Sequence, residues 1–308
     1  MRSGWSAGCP GWAALAGAVV LAAAPPAHGY GRTVTPAGAA QSWPSGCASF
    51  AVHMDELPGV DPSEARAIVA AAASAWTEGL DCTGLQIALD FRPGPGPAAA
   101  NDGLNTIGAR LDTWCGDTGG HGQPIASSSC RGDPAEMAWT SVFASAQSGR
   151  IVGADVQLNA VTFHWGEPLG HPQGHAIDLQ AALMHEIGHA LGLAHPCRDV
   201  DEPEAFDDQG QPLPDCYEAS AEIRQSVMFP ELDRGAFART LSADDRRAIC
   251  EIYPLAEQAR LGEGSACVGA VRTAGGGCSA GRQPDGGRAA LLTSAMAVML
   301  LARRRRRS

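Results

Sequence analysis

The sequence predicts an α+β fold, and three stretches carry that expectation. Cys47 to Phe91 reads as strand, helix, strand, a βαβ unit whose two strands must run parallel. Gly153 to Asn159 sets Ala154, Val156 and Leu158 on one face and Asp155, Gln157 and Asn159 on the other, which is the period of a strand. Two helices with clear ends come next, one from Ile177 or Asp178 to Leu191 and one from Thr240 to Tyr253.

Taken in order, residues 1–29 have a charged tip at Arg2, an apolar run from Trp12 to Ala22 and a small-x-small site at Ala27-His28-Gly29. They read as a secretory signal peptide. Residues 30–46 are rich in Gly, Pro and Ala and read as a linker. Cys47 to His53 alternates as a strand. Asp61 then caps a helix with Pro62 at its first position and Glu64 in its first turn, and the body Ala65 to Glu78 ends at Gly79. Leu85 to Phe91 is the second strand, after which Arg92 to Pro97 breaks regular structure. Thr106 to Leu111 and Met137 to Ala146 are further strands flanking a loop-rich stretch. Within that stretch, Asp112 to Gly120 offers oxygen ligands to Ca2+, without the spacing of an EF-hand. His121, His164, His171 and His175 read as exposed loop histidines.

The helix ending at Leu191 places Leu179, Leu183, Ile187 and Leu191 on one buried face. It also carries His185, Glu186 and His189, and the chain continues through Gly192 to His195. Four residues apart on a helix, His185 and His189 share a face and reach one metal ion. A left-handed turn at Gly192 ends the helix and swings His195 back as a third nitrogen. Three protein ligands leave a position open for water, the coordination of a catalytic Zn2+, whereas structural sites close with four. Glu186 lies one step round the helix, placed to take a proton from that water. Downstream, Ser226 to Pro230 forms a turn around Met228. The last helix has Ser242 as its cap, Asp244 and Asp245 in its first turn and Pro254 just past its end.

The pattern H-E-x-x-H-x-x-G-x-x-H, from His185 to His195, resembles the metzincin clan of zinc metallopeptidases. The Met228 turn fits the same clan, and the text from Leu241 to Tyr253 is similar to the C-terminal helix of matrixins. The resemblance covers Cys47 to Pro254. It implies a metzincin (zincin-like) catalytic domain over residues 47–256: a twisted mixed five-stranded sheet, an active-site helix and a small C-terminal subdomain. It further implies catalytic zinc on His185, His189 and His195, Glu186 as general base, and Met228 supporting the site. The strand 153–159 or its neighbour would be the edge that pairs with an extended protein or peptide substrate. Pro196 after the third His is closer to serralysins, but their calcium repeats are missing. Pro230 stands where astacins and serralysins place a Tyr ligand, so a matrixin-like enzyme is favoured. The H-x-D pair that opens the matrixin structural zinc site is missing. The alternative is a non-catalytic zinc-binding surface module or adhesin on the same fold, which need not keep Glu186.

The formal charge of −11 argues against nucleic acid or an anionic membrane as the partner, and the expected state is a monomer. Of ten cysteines, eight remain once Cys9 and Cys278 are set aside, an even number that predicts disulfides in an exported chain. Cys115 with Cys130 and Cys197 with Cys216 would each close a short loop. If the strands of the βαβ unit start side by side, Cys47 pairs with Cys82 and leaves Cys250 for Cys267. Residues 257–277 read as a linker. Residues 278–308 combine Cys278, an apolar run from Ala289 to Ala302 and Arg303 to Arg307. This layout resembles the three-part C-terminal sorting signals of myxobacterial surface proteins, which implies a surface location with the membrane met only through the tail. The run is short of the roughly 20 residues of a comfortable span, and a simple membrane anchor stays open.

Overall fold

Parallel pairing across the first crossover sets the frame of the computed structural model, which describes residues 1, 29–96, 99–114, 135–167, 176–199, 204–231, 239–256, 267 and 293–301. The strands are β1 (Gly31–Arg32), β2 (Cys47–His53), β3 (Gln86–Phe91), β4 (Thr106–Arg110), β5 (Glu136–Ser145), β6 (Ile151–Asn159), β7 (Trp165–Gly166), β8 (Ile177–Asp178), β9 (Leu193–Ala194) and β10 (Thr293–Leu301). The helices are α1 (Pro62–Ser74), α2 (Leu179–Ala190) and α3 (Ala243–Ile252). β2 runs parallel to β3 from Cys47 opposite Gln86 to Val52 opposite Phe91. The pairs β2–β4 and β4–β6 are parallel too, while β5 turns back against β6. The order is β10-β5-β6-β4-β2-β3, a mixed sheet, and the fold is α+β as expected. β2 to β6 supply five strands. The sixth comes from the tail, where Thr293–Leu301 pairs antiparallel with β5. No helix among the described residues is long and apolar enough to cross a membrane. Residues 2–28 of the expected signal peptide 1–29, and the rest of the tail, including Cys278, lie outside the described residues.

Both helices of the central layer bury their apolar faces against the sheet. Phe50 and Val52 of β2, Ile107 of β4, Val142 of β5, and Val156 and Leu158 of β6 share one core with Val69 of α1 and Leu179, Leu183 and Ile187 of α2. A fully buried Leu or Ile contributes about 1.5–3 kcal/mol, so α2 is anchored by its apolar face before any polar contact is counted. The polar face of β6 is buried as well. Asp155 accepts from Thr106 N and Oγ1 at 2.9 and 2.6 Å, and Asn159 Nδ2 donates to the Glu136 carbonyl at 2.9 Å.

α1 begins at the expected Asp61 cap, whose carboxylate accepts from Ser63 N at 2.8 Å. It ends at Ser74, short of the expected Glu78, because the last turn tightens into i, i+3 bonds. The tightening brings Trp76 inward to donate from Nε1 to the Met184 carbonyl at 3.0 Å.

Residues 30–46 are not a linker. Tyr30, Thr33, Thr35, Gln41 and Trp43 are buried, and β1 pairs antiparallel with β9. These residues therefore belong to the folded domain. A helix leaves its last carbonyls without intrahelical partners, and here this segment supplies the donors for α2. Composition alone hid that role.

The cysteines pair as Cys47–Cys267, Cys82–Cys250 and Cys197–Cys216, with Cα separations of 5.5, 5.3 and 4.9 Å. The last was expected; the pairs Cys47–Cys82 and Cys250–Cys267 are corrected. Register explains the change, since Cys47 lies opposite Gln86 and not Cys82. Cys82 precedes the strand in a turn that the end of α3 covers: Gly84 N and Leu255 N bond across to Tyr253 O and Cys82 O. That places Cys250 beside Cys82. Cys267, in a segment expected to be a linker, donates from its backbone N to Gln86 Oε1 at 3.1 Å, beside the start of β2. Cys115 and Cys130 lie outside the described residues.

Replacing Cys82 and Cys250 together by Ser should lower unfolding free energy by about 2–4 kcal/mol. Urea midpoints would measure it, and an unchanged midpoint would mean that the crosslink adds nothing to the packing of α3 on the turn before β3.

Candidate metal centre

His185, His189 and His195 are brought together as the sequence predicted. Asp178 caps α2 by accepting from Ala181 N at 3.0 Å. Arg239 grips that cap, its Nε 2.7 Å from Asp178 Oδ2 and its terminal nitrogens on both oxygens of Glu167 at 3.0 and 2.8 Å. From this start the helix carries His185 and His189 on one face, both buried. Leu191 ends it, and Gly192 takes φ +92°, the left-handed backbone that favours glycine. A side chain there would also strike the Gln41 carbonyl. His195 comes next, and the three imidazoles form the one group of potential metal ligands among the described residues.

The Nε2 atoms converge. His189 Nε2 lies 2.9 Å from His185 Nε2, which lies 3.2 Å from His195 Nε2. Corners of a coordination tetrahedron with bonds of about 2.0–2.1 Å stand roughly 3.3–3.4 Å apart, so the nitrogens are close enough to share one ion after a slight spreading. The outer nitrogens explain the convergence. His185 Nδ1 donates to the Val227 carbonyl at 2.8 Å and His189 Nδ1 to the Leu193 carbonyl at 2.9 Å. A carbonyl only accepts, so Nδ1 carries the hydrogen and each Nε2 keeps its lone pair for a metal. Burial holds His185 and His195 well below the usual histidine range and brings His189 to about 4. The rings are therefore neutral at physiological pH, as metal ligation requires.

Glu186 is fully buried. Its Oε2 accepts from Thr140 Oγ1 of β5 at 2.5 Å, while Oε1 has no hydrogen-bond partner. Burial pushes the carboxyl up to about 8, opposed by the Thr140 hydrogen bond. A buried carboxyl with one empty oxygen calls for a nearby cation or water, and the preceding residue, His185, belongs to a donor set that fits a cation.

Met228 is buried in the turn below α2. That turn hangs from Asp245 of α3, which accepts from Ser226 Oγ at 2.6 Å and from Val227 N at 2.9 Å. Asp245 also accepts from Ser242 N at 2.8 Å, completing a capping box. The hydrogen bonds thus run from α3 through Val227 to His185. Sequence reasoning missed this use of Asp245, and it missed Thr140. Gly188 was also overlooked, although a glycine inside a helix costs about 1 kcal/mol and so asks for a packing reason. The reason is Met228, whose Sδ occupies the space a side chain would need, with Trp76 beside it.

Of the loop histidines, His164 is described, and its carbonyl accepts from Ile177 N at 2.7 Å. His121, His171 and His175 lie outside the described residues, as does most of the calcium candidate 112–120; Asp112 itself is exposed and bonded to Thr113 N at 2.8 Å. Compared with protein-family models and with curated proteins, the chain shows no match.

This geometry sets two expected outcomes. Gly188→Ala should displace Met228 and destabilise the fold by about 1–3 kcal/mol, weakening metal retention with it. Denaturant titration with metal analysis would check this, and retention of both properties would contradict the tight packing. For pH, an unfolded His titrates near 6.5 while folded His189 sits at about 4, so between these values the unfolded chain binds more protons. The His189 contribution to the stability of the metal-free protein should therefore be fully present above about pH 6.5 and be lost as pH drops toward 4. Melting curves in chelator should show it as a difference between the parent and His189→Gln that shrinks toward pH 4.

Proposed function

We propose that the chain is an exported zinc-dependent endopeptidase of metzincin type, matrixin-like, that hydrolyses peptide bonds in protein or peptide substrates. One observation carries the reading: three converging Nε2 atoms beside a buried carboxyl with an unpartnered Oε1. His185, His189 and His195 would hold the ion, with Met228 beneath and Gly192 turning the third ligand in. When bound, zinc supplies a Lewis acid for the scissile carbonyl and brings the pKa of a ligated water toward neutrality.

The remaining work falls to the chain. Glu186 Oε1 takes a proton from the attacking water as the new C–O bond forms, and delivers it to the amine nitrogen as the C–N bond breaks. The buried Nδ1–carbonyl bonds keep the imidazoles aimed throughout. The outer edge of β5 would align substrate by main-chain pairing in the place that β10 takes in this structure. In support, that edge accepts an antiparallel strand from the chain's own tail, the pairing an extended peptide would need. The three disulfides among the described residues suit an oxidising compartment, and the leader and tail read from the sequence make that compartment the cell surface or its exterior.

The test is hydrolysis of casein by the chain purified from an exporting host, with chelator, with Zn2+ restored, and with Glu186→Ala. Cleavage should vanish with chelator, return with zinc and be lost in the variant. Stoichiometric zinc without cleavage of casein or of a diverse peptide library would replace this reading with the non-catalytic binding module.

A further inference from the structure

The contact between β5 and Glu186 extends the proposed mechanism, and its meaning rests on the metallopeptidase reading. Alternation along β5 points Ala138, Thr140 and Val142 to the same side of the sheet. Ala138 and Val142 belong to the core shared with α2. Between them stands a hydroxyl. Thr140 is fully buried, and its Oγ1 lies 2.5 Å from Glu186 Oε2 and 3.1 Å from the Glu186 backbone carbonyl. Both neighbours only accept when the carboxyl is ionised, so the single hydroxyl hydrogen goes to them, and the shorter contact is to the side chain.

We propose that Thr140 is a positioning residue for the general base, its hydroxyl holding Glu186 Oε2 so that Oε1 alone is left to receive the proton from water. Three features make it suited to this. Its position is fixed by ladder pairing opposite Val156 of β6. A β-branched side chain has little χ1 freedom, so the hydroxyl is aimed in advance. The carboxyl it holds would otherwise keep the torsional freedom of a long side chain, and productive proton transfer needs the base held within hydrogen-bond reach of its proton.

Thr140→Val removes the hydroxyl and keeps the shape, and Thr140→Ser keeps the hydroxyl. On a fluorogenic peptide the Val variant should lose about 10–100-fold in kcat, the range typical of removing a supporting hydrogen bond, with KM little changed; the Ser variant should restore most of it. Zinc content should stay stoichiometric in both, separating loss of aim from loss of metal. In a Glu186→Ala background, Thr140→Val should lower residual hydrolysis no further, because its effect runs through the missing carboxyl. A crystal structure of zinc-loaded Thr140→Val should show Glu186 displaced or in several rotamers. Unchanged kcat in Val, an undisturbed Glu186 in that crystal, or an equal further loss in the Glu186→Ala background would overturn the proposal while leaving the peptidase reading intact. Absence of hydrolysis in the parent protein would instead remove the reading beneath it.

Discussion

Burial of a polar helix is the constraint on which the rest of this structure depends. α2 carries two imidazoles and a carboxyl into the interior at essentially zero exposure, and its C-terminal end lies there as well. Each group left without a partner would cost about 1–3 kcal/mol or more. The surrounding chain meets that demand. Trp43 Nε1 donates to the Ala190 carbonyl at 2.8 Å and Tyr253 Oη to Leu191 at 2.7 Å. Thr33 covers the next two carbonyls, its N on Gly192 and its Oγ1 on Leu193, both at 3.0 Å. Leu193 O then accepts from His189 as well, so one carbonyl joins the N-terminal segment to a candidate ligand.

Three remote parts of the chain thereby converge on one turn. The segment 30–43 closes it from one side, α3 holds the Met228 turn from below through Asp245, and β5 reaches Glu186 through Thr140. Neutral, pre-aimed imidazoles are the product of that convergence, since the Nδ1 atoms of His185 and His189 are committed to carbonyls and burial disfavours the charged ring. Binding a dication to such a cluster and folding the domain around it become parts of one equilibrium.

The disulfides reinforce the same geometry from outside. Cys82–Cys250 fastens α3 to the turn before β3, and Cys47–Cys267 ties residues beyond α3 to the start of β2. Both join the sheet to the C-terminal part that supports the Met228 turn. Cys197–Cys216 closes the loop immediately after His195. Within that loop Asp207 accepts from Gly29 N at 2.9 Å, so an acidic stretch with the composition of solvated surface also secures the N-terminal segment.

What the sequence determined by itself is whatever local periodicity and backbone chemistry dictate. The βαβ unit, the capped helices, the Gly192 turn and the face shared by His185 and His189 all arise from spacings within a few residues, because helix and strand geometry is short-ranged. Tertiary structure decided what depends on contacts between distant segments. Thr140 is an ordinary strand residue until β5 lies against α2. Gly188 needs Met228 beneath it, and Cys82 finds Cys250 only once α3 docks. Residues 30–46, loop-like in composition, become structural because the buried end of α2 lacks donors. Such partners are chosen by hydrogen-bond demand and packing across the folded chain, and no spacing along the sequence encodes them.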